Sequence, residues 1–458
     1  MVVPWVAEEF QTLKLKDARL TKRTKKLVSA LASDPEASIP AACGNDADTD
    51  AAYRYLSSGK VEVAQLRQAH AAATLKRAEG LPYILLVGDS SELCFGGRAS
   101  LKGIGPLDRN GQGLKIHTGF ALSPEGVPLG TLDQEVWARS AEEKGKKHQR
   151  RKRAAEDKES AKWRRMGERC QAMLPEGMGM VQIGDQEADC FHYLAMQRRP
   201  GVEILIRATH DRRLVSPEHL YLREAAMSAP LLGSYVLSLP RTPKRPGREA
   251  QIELRARRVE VSPPRHARGR AQLEPVAAYV IWVKETGEVP GGQEPVEWLL
   301  LTTLPVENFK DARRVVTMYT HRWKVERYHY TLKSGCKIEE LQLEAADRIE
   351  RALALYSVIA WRLLYMTYEA RAAPNAPCTR VLQEDEWKTL LLVRSPRKAL
   401  PAQPPTLREA VWMIAGLGGF LGRKSDGEPG VKTIWRGYRR LMDCVLGIRA
   451  AVGLMGNA

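Results

Sequence analysis

Apolar and polar positions change their period several times along the chain. From Leu13 to Leu31 apolar residues recur at near-helical spacing, and residues 1–72 read as helical throughout. Asp48 or Asp50 is placed to cap a second helix containing Tyr53, Tyr55 and Leu56, closed by Ser57-Ser58-Gly59. Val61–Leu75 reads as a third. The texture then shifts. The continuous apolar run from Tyr83 to Val87, followed by Gly88-Asp89, marks a strand buried on both faces. Ile116–Leu122 and Val127–Leu132 flank Ser123-Pro124-Glu125-Gly126, a hairpin signal. Met180–Gly184 is another strand that runs into an acid, Asp185. Gln186–Met196 then reads as a helix and Val202–Arg207 as a further strand. This alternation predicts an α/β core.

From about residue 222 to 305 the pattern is β-rich. Ser234–Leu239, Gln251–Val261, Val276–Lys284 and Trp298–Thr303 are strand-like, separated by loops rich in Pro, Gly and Arg. Asn308–Lys333 reads as one long helix and Glu344–Glu369 as another. A linker follows at Ala372-Ala373-Pro374-Asn375-Ala376-Pro377, and residues 378–458 are mostly helical, with a Gly-rich turn at Gly416–Gly422. The expected organisation is an all-helical domain (1–72), an α/β domain (73–372) with its β-rich insertion at about 222–305, and a helical C-terminal domain (373–458). The length of 458 residues suits about three domains.

Charge narrows the partners. Lys plus Arg total 71 against 54 for Asp plus Glu, a net +17, which points to a polyanion. Seven basic residues lie between Lys14 and Lys26, and seven more within Lys144–Arg153. The second run reads equally well as a solvated face or as a DNA contact. The longest apolar run, Ala352–Trp361, is too short to span a bilayer. Met1–Phe10 has no signal-peptide pattern. Seven scattered cysteines without CxxC spacing argue against a disulfide scaffold or zinc finger and for a reducing cytoplasm.

Two predicted strands end in Asp, at Asp89 and Asp185. Loops at the carboxyl ends of strands are where α/β sites form. Taken singly, each Asp is equally a turn or N-cap acid. Glu187 and Asp189 read as first-turn acids facing a helix dipole. On the helix Asn308–Lys333, at about 100° per residue, Tyr319, Arg322, Glu326 and Lys333 fall within a stripe of roughly 60°. Such a stripe lets Glu326 bind a cation while the others grip phosphate oxygens. It also fits a solvated face with i, i+4 pairs. Two Asp and a Glu beside phosphate-gripping groups suggest a two-metal site for phosphodiester chemistry, with hard oxygen ligands suited to Mg2+. No P-loop, Gly-x-Ser-x-Gly or HExxH is present.

Tyr319-Thr-His-Arg322-Trp-Lys-Val-Glu326, continuing to Lys333, resembles the Y-x2-R-x3-E-x6-K signature of the insertion-sequence-four group of bacterial DDE transposases. Val181-Gln-Ile-Gly-Asp185 and Leu86-Val-Gly-Asp89-Ser-Ser resemble that family's two Asp segments. Lys158-Glu-Ser-Ala-Lys-Trp163, Ala52-Tyr-Arg-Tyr55, Trp298-Leu-Leu-Leu-Thr302 and Leu417-Gly-Gly-Phe420 also have counterparts. The resemblance implies a ribonuclease H-like catalytic core with a β-rich insertion. It implies Asp89, Asp185 and Glu326 as the catalytic triad, holding two Mg2+ with Mn2+ as a substitute. Tyr319, Arg322 and Lys333 become phosphate contacts. Trp298 becomes a stacking platform for an extruded base, with a core aromatic as the plain alternative. Arg207 becomes a further DNA contact or a surface Arg. Thr209, where Lys is expected, and the basic run near 150, where acids are expected, depart from the family pattern.

The function implied is a cytoplasmic bacterial cut-and-paste transposase. It would bind the terminal inverted repeats of double-stranded DNA, cleave through a hairpin and join 3′ ends to target DNA, acting as a homodimer away from any membrane. The rivals are an inactive DNA-binding relative and a metal-dependent nuclease without strand transfer.

Overall fold

The computed structural model describes every residue except 1, 97–100, 109–110, 141–155, 240–245, 266–269, 292, 397–398 and 456–458. The basic run Lys144–Arg153 lies outside the described residues. Five helices come first: α1 (Pro4–Glu9), α2 (Ala18–Ser33), α3 (Ile39–Cys43), α4 (Asp46–Ser57) and α5 (Val63–Arg77). Strands β1 (Tyr83–Cys94), β2 (Gly105–Pro106), β3 (Gln112–Leu122) and β4 (Pro128–Trp137) follow. Next are α6 (Ala161–Met173), β5 (Gly179–Gly184), α7 (Phe191–Leu194), β6 (Val202–Arg207) and α8 (Leu222–Met227). Four strands form the insertion: β7 (Leu231–Leu239), β8 (Arg248–Val261), β9 (Val276–Thr286) and β10 (Glu297–Thr302). Six helices complete the chain: α9 (Phe309–Thr320), α10 (Trp323–Tyr330), α11 (Ala346–Ala372), α12 (Glu384–Arg394), α13 (Leu407–Leu417) and α14 (Val431–Met455).

These elements form two compact units. The second comprises Gly80–Asp89 and Gly145–Trp323. Its sheet runs β1-β5-β6-β10-β9-β8-β7. The pairs β1–β5 and β5–β6 are parallel; β10 pairs antiparallel with both β6 and β9. Ile84, Leu85, Leu86 and Val87 are fully buried, as the unbroken apolar run requires of a central parallel strand. In β8 the alternation is visible instead: Ala250, Ile252, Leu254 and Ala256 face inward and Gln251 outward. Helix α6 lays the Trp163 ring against β1 at Gly88 and against the end of β5 at Gly184. A Cβ at Gly88 or at Gly184 would overlap that ring, so each strand needs a glycine immediately before its Asp.

The first unit comprises Met1–Glu79, Ser90–Lys144 and Lys324–Ala458. The β3–β4 hairpin closes through Ser123 and Val127, as its turn residues predict. Helix α5 lies on β4, with Thr74 against Gly130. Helix α11 is buried on nearly every side, and Trp361 donates to the Pro128 carbonyl (2.9 Å). Helices α12–α14 pack with the end of α11 around Trp387, Leu390, Ile414 and Trp435.

Four expectations are corrected. Asn45, not Asp48 or Asp50, caps α4; its side chain accepts the Asp48 N–H. Gln186–Met196 is not one helix but a short 3-10 turn and then α7, because the acid between them, Asp189, turns inward. Asp189 is therefore no exposed first-turn acid: it accepts the Thr209 and His210 N–H groups (both 2.8 Å) and Arg212 Nε (2.6 Å). The segment Asn308–Lys333 is also interrupted. His321 and Arg322 N–H bond back to Met318 and Tyr319, a tightened last turn that ends α9 before α10 begins. Beyond α10 the backbone widens to a π turn, Thr331–Gly335, which carries Lys333.

Candidate active site

In the second unit Asp89 does not end its strand as expected, since β1 runs on to Cys94, whereas Asp185 follows the last residue of β5. Both lie two residues beyond the Val87–Ile183 pair, where the parallel pairing stops. The Asp185 side chain accepts the Glu187 N–H (2.9 Å), the Asx geometry that opens the following turn. Burial pushes the Asp185 carboxyl above its usual range, and the Asp89 charge adds to it; the Glu187 N–H and the Arg322 guanidinium pull the other way.

Tyr319, Arg322, Arg207 and Trp298 gather at the same end. Tyr319 is 3% exposed, and burial raises its hydroxyl pKa although Arg322 and Arg207 both favour the anion. Trp298 meets the Tyr319 ring edge-on at 5.4 Å between centroids. The Arg322 guanidinium is itself buried and stacks 4.3 Å over Trp323, whose ring is 53% exposed. Six of the eight residues read from the sequence thus belong to this unit.

The other two, Glu326 and Lys333, belong to the first unit. Glu326 is half-buried on α10, which is pinned by a buried polar network. The Gln134 amide donates to Tyr328 Oη (3.2 Å), Ser357 donates to Gln134 (3.2 Å), and His329 Nε2 meets Thr118 Oγ1 (3.2 Å). Two residues before Glu326, Lys324 donates to the Gly126 carbonyl (2.7 Å); burial, with Arg371 nearby, lowers its pKa to about 8. Lys333 donates to the Glu92 carbonyl (2.6 Å) and lies 3.4 Å from Glu339.

One contributor went unread in the sequence. Lys162 on α6 is wholly buried, and its ammonium donates to Glu187 (2.6 Å), the residue whose N–H holds Asp185. The Lys158–Trp163 segment was its only signal.

Among the described residues no set of three or more His, Cys, Asp or Glu side chains is grouped to ligate one ion. The pair Asp89/Asp185 nonetheless suits a hard divalent cation. Its donors are carboxylate oxygens, and two acids brought together at a cost in charge repulsion are relieved by a cation.

In the first unit the basic stretch of α2 is partly neutralised from within. Arg23 and Lys26 share Asp48 (3.0 and 2.6 Å), Lys16 pairs with Glu62 (2.9 Å) and Arg19 with Asp17 (3.0 Å).

Two acids where the parallel pairing of β1 and β5 stops, beside a buried Arg and Tyr, make a candidate site of the kind metal-dependent phosphoryl transfer needs. Comparison with known families gives the rest. Residues 3–61 match the family described as Transposase DNA-binding, 132–363 the Transposase DDE domain, and 358–455 the Transposase Tn5 dimerisation domain. The DDE match covers just over half of the chain, and the chain belongs to the DDE transposase family, in its Tn5-like form. It is a DNA transposase, an enzyme of nuclease and strand-transfer activity with a ribonuclease H-like α/β core and a dependence on divalent metal. It binds DNA and forms a dimer. A structure described as the piggyBac transposase synaptic complex with hairpin DNA aligns over 81% of this chain and 72% of its own. The identity is 10% and the TM-score 0.34, too distant a likeness to add to the assignment. No described helix is long and apolar enough to cross a membrane.

Proposed function

We propose that the chain is a cut-and-paste transposase of the bacterial cytoplasm that frees its element through a hairpin intermediate and joins the 3′ ends to target DNA. The observation that carries the chemistry is the Asp89/Asp185 pair, whose mutual repulsion marks a place for positive charge. Glu326 supplies the third carboxylate. These carboxylate oxygens would hold two Mg2+, or Mn2+ in their place, and ions bound there would supply Lewis-acid stabilisation of the attacking and leaving oxygens of an in-line displacement.

The chain's own groups do the rest. Arg322, buried and aligned by stacking, holds a phosphate oxygen next to the acids, with the Tyr319 hydroxyl as a second donor. Lys333 adds a positive charge from the π turn. Trp298, braced on Tyr319, offers a ring face to an extruded base, and Arg207 a further phosphate contact. Residues 1–72 grip the terminal inverted repeats, 73–372 carry the chemistry, and 373–458 dimerise to hold two ends together. Phosphate contacts by Lys14–Lys26 make binding salt-dependent, and DNA competes with Asp48 for Arg23 and Lys26.

The test is cleavage of a labelled duplex carrying the element's own end, in Mg2+ or Mn2+, by wild type and by Glu326→Ala. Hairpin-ended product from wild type alone is expected. Equal binding with no cleavage by either protein would overturn the proposal.

A further inference from the structure

A cavity of about 210 Å3 in the second unit has walls that, Arg207 apart, serve none of the roles above. Its walls include Gln186, Arg207, Arg223, Trp282, Glu297 and Leu299. The sheet register fixes where it opens. Directly opposed residues of an antiparallel pair point to the same face. Trp282 opposes Leu299, whereas Trp298 opposes Val283. Trp282 and Leu299 therefore share one face of β9–β10, and Trp298, braced on Tyr319, occupies the other. Arg207 opposes Leu300 and so springs from the Trp298 face, its guanidinium reaching the Glu297 carbonyl. The cavity therefore has its Trp282 wall on the face away from Trp298 and shares Arg207 with that face. It still borders the acid pair, because Gln186 follows Asp185 in the chain.

The chemistry of the walls is specific. Trp282 is half-buried and held in place: its indole N–H donates to Glu297 Oε1 (3.2 Å), and the Lys284 ammonium lies 5.0 Å from the ring centroid. Leu299 and Ala208 give an apolar floor. Gln186 and Glu297 place an amide and a carboxylate at the rim, a donor–acceptor set suited to a base edge. Arg207 donates to the Glu297 carbonyl (3.3 Å), and Arg223 is exposed. Among the described residues neither guanidinium is paired with a carboxylate, so both are available to an anion. A flat aromatic wall, a hydrogen-bonding rim and two cations at the mouth match a planar heterocycle bearing a phosphate.

We propose that this cavity takes one unpaired nucleotide of the DNA substrate, its base against Trp282 and its phosphate between Arg207 and Arg223. The proposal rests on the reading of DNA as substrate and is independent of which residues ligate the metal. Stacking on an aromatic side chain is worth about tenfold or more in affinity and needs a base outside the duplex stack.

The probe is a duplex with a short single-stranded tail carrying iododeoxyuridine, irradiated with the full-length protein. A crosslink to Trp282 or its neighbours on β9 is expected; crosslinks confined to other segments would overturn the proposal. Affinity then separates the two contacts. Trp282→Ala should weaken binding of the tailed duplex about tenfold and leave an abasic tail unaffected, with Trp282→Phe restoring most of the loss. Arg223→Ala should weaken normal and abasic tails alike and reduce the salt slope by about one. Equal loss on blunt and tailed duplexes after Trp282→Ala would also overturn it. A wild-type protein that binds neither duplex would instead bring down the DNA reading itself.

Discussion

Glu9 in the first unit and Asp185 in the second are two acids drawn away from water, and their surroundings treat the charge in opposite ways. Glu9 is 3% exposed, yet its pKa falls to about 2: burial alone would raise it, and His70 and Arg77 outweigh burial. Arg77 grips both Glu9 oxygens (2.7 and 3.2 Å) and lies 3.8 Å over the Trp361 ring. His70 Nε2 accepts the Thr131 N–H (3.0 Å), which leaves Nδ1 to donate to Glu9. Helices α1 and α5 are thereby locked to β4 and α11, with every charge answered. At Asp185 burial wins, and the nearest acid makes it worse. The first arrangement is that of a structural ion pair. The second, on the reading proposed above, is an acid pair whose repulsion a bound cation would relieve.

The largest expected effect separates the two. Asp185→Asn should lower end cleavage about a thousandfold or more, since removing a metal ligand forfeits several kcal/mol of transition-state stabilisation. The same change should leave the unfolding temperature unchanged or raised, because it removes a like-charge conflict. A variant that both cleaves normally and melts earlier would make Asp185 a structural acid like Glu9. Glu9→Gln should do the reverse. It should cost about 3–5 kcal/mol in urea unfolding by leaving Arg77 without its buried partner. The pH trends oppose each other as well. Glu9, with a depressed folded pKa, contributes on the order of 3 kcal/mol above pH 4.5 that is lost as pH falls toward 2. Asp185, with a raised folded pKa, costs stability as pH rises from 3.8 through that pKa. Near neutral pH the stability of Glu9→Gln should therefore lie below wild type and that of Asp185→Asn at or above it, and both differences should shrink in acid.

A smaller effect sharpens the comparison. Lys162→Met conserves volume and leaves behind Glu187, which is half exposed and can be hydrated, so unfolding should change little. Loss of the lysine removes the Lys162–Glu187 bond and loosens the turn that holds Asp185. Cleavage at limiting Mn2+ should fall about tenfold, recover at higher Mn2+, and leave DNA binding intact. A loss that Mn2+ does not correct would assign Lys162 to plain packing.

The sequence made β1, β5 and β6 legible because an unbroken run of Ile, Leu and Val has few other uses in a chain of this charge. Asp89 and Asp185 were legible because nothing in those strands needs an acid. The Tyr319–Lys333 spacing was legible as a pattern but not as a shape. No Pro or Gly marks the turn at His321–Arg322, and the bonds that end α9 are backbone bonds common to any residue. Asp189 misled because its partner, Arg212, is 23 positions away in sequence. Lys162 misled because lysine is almost never fully buried unless paired. Gly88 and Gly184 gave no sign of their purpose, which is to admit the ring of Trp163.

The central claim is that Asp89 and Asp185 form a cation site rather than a structural pair. Thermal unfolding of the full-length protein without DNA, with and without Mn2+, tests it without relying on activity. Ligand binding to the native state raises its stability. Mn2+ should therefore raise the unfolding temperature of wild type and leave Asp89→Asn and Asp185→Asn unmoved. An equal rise in all three proteins would place the metal elsewhere and contradict the account.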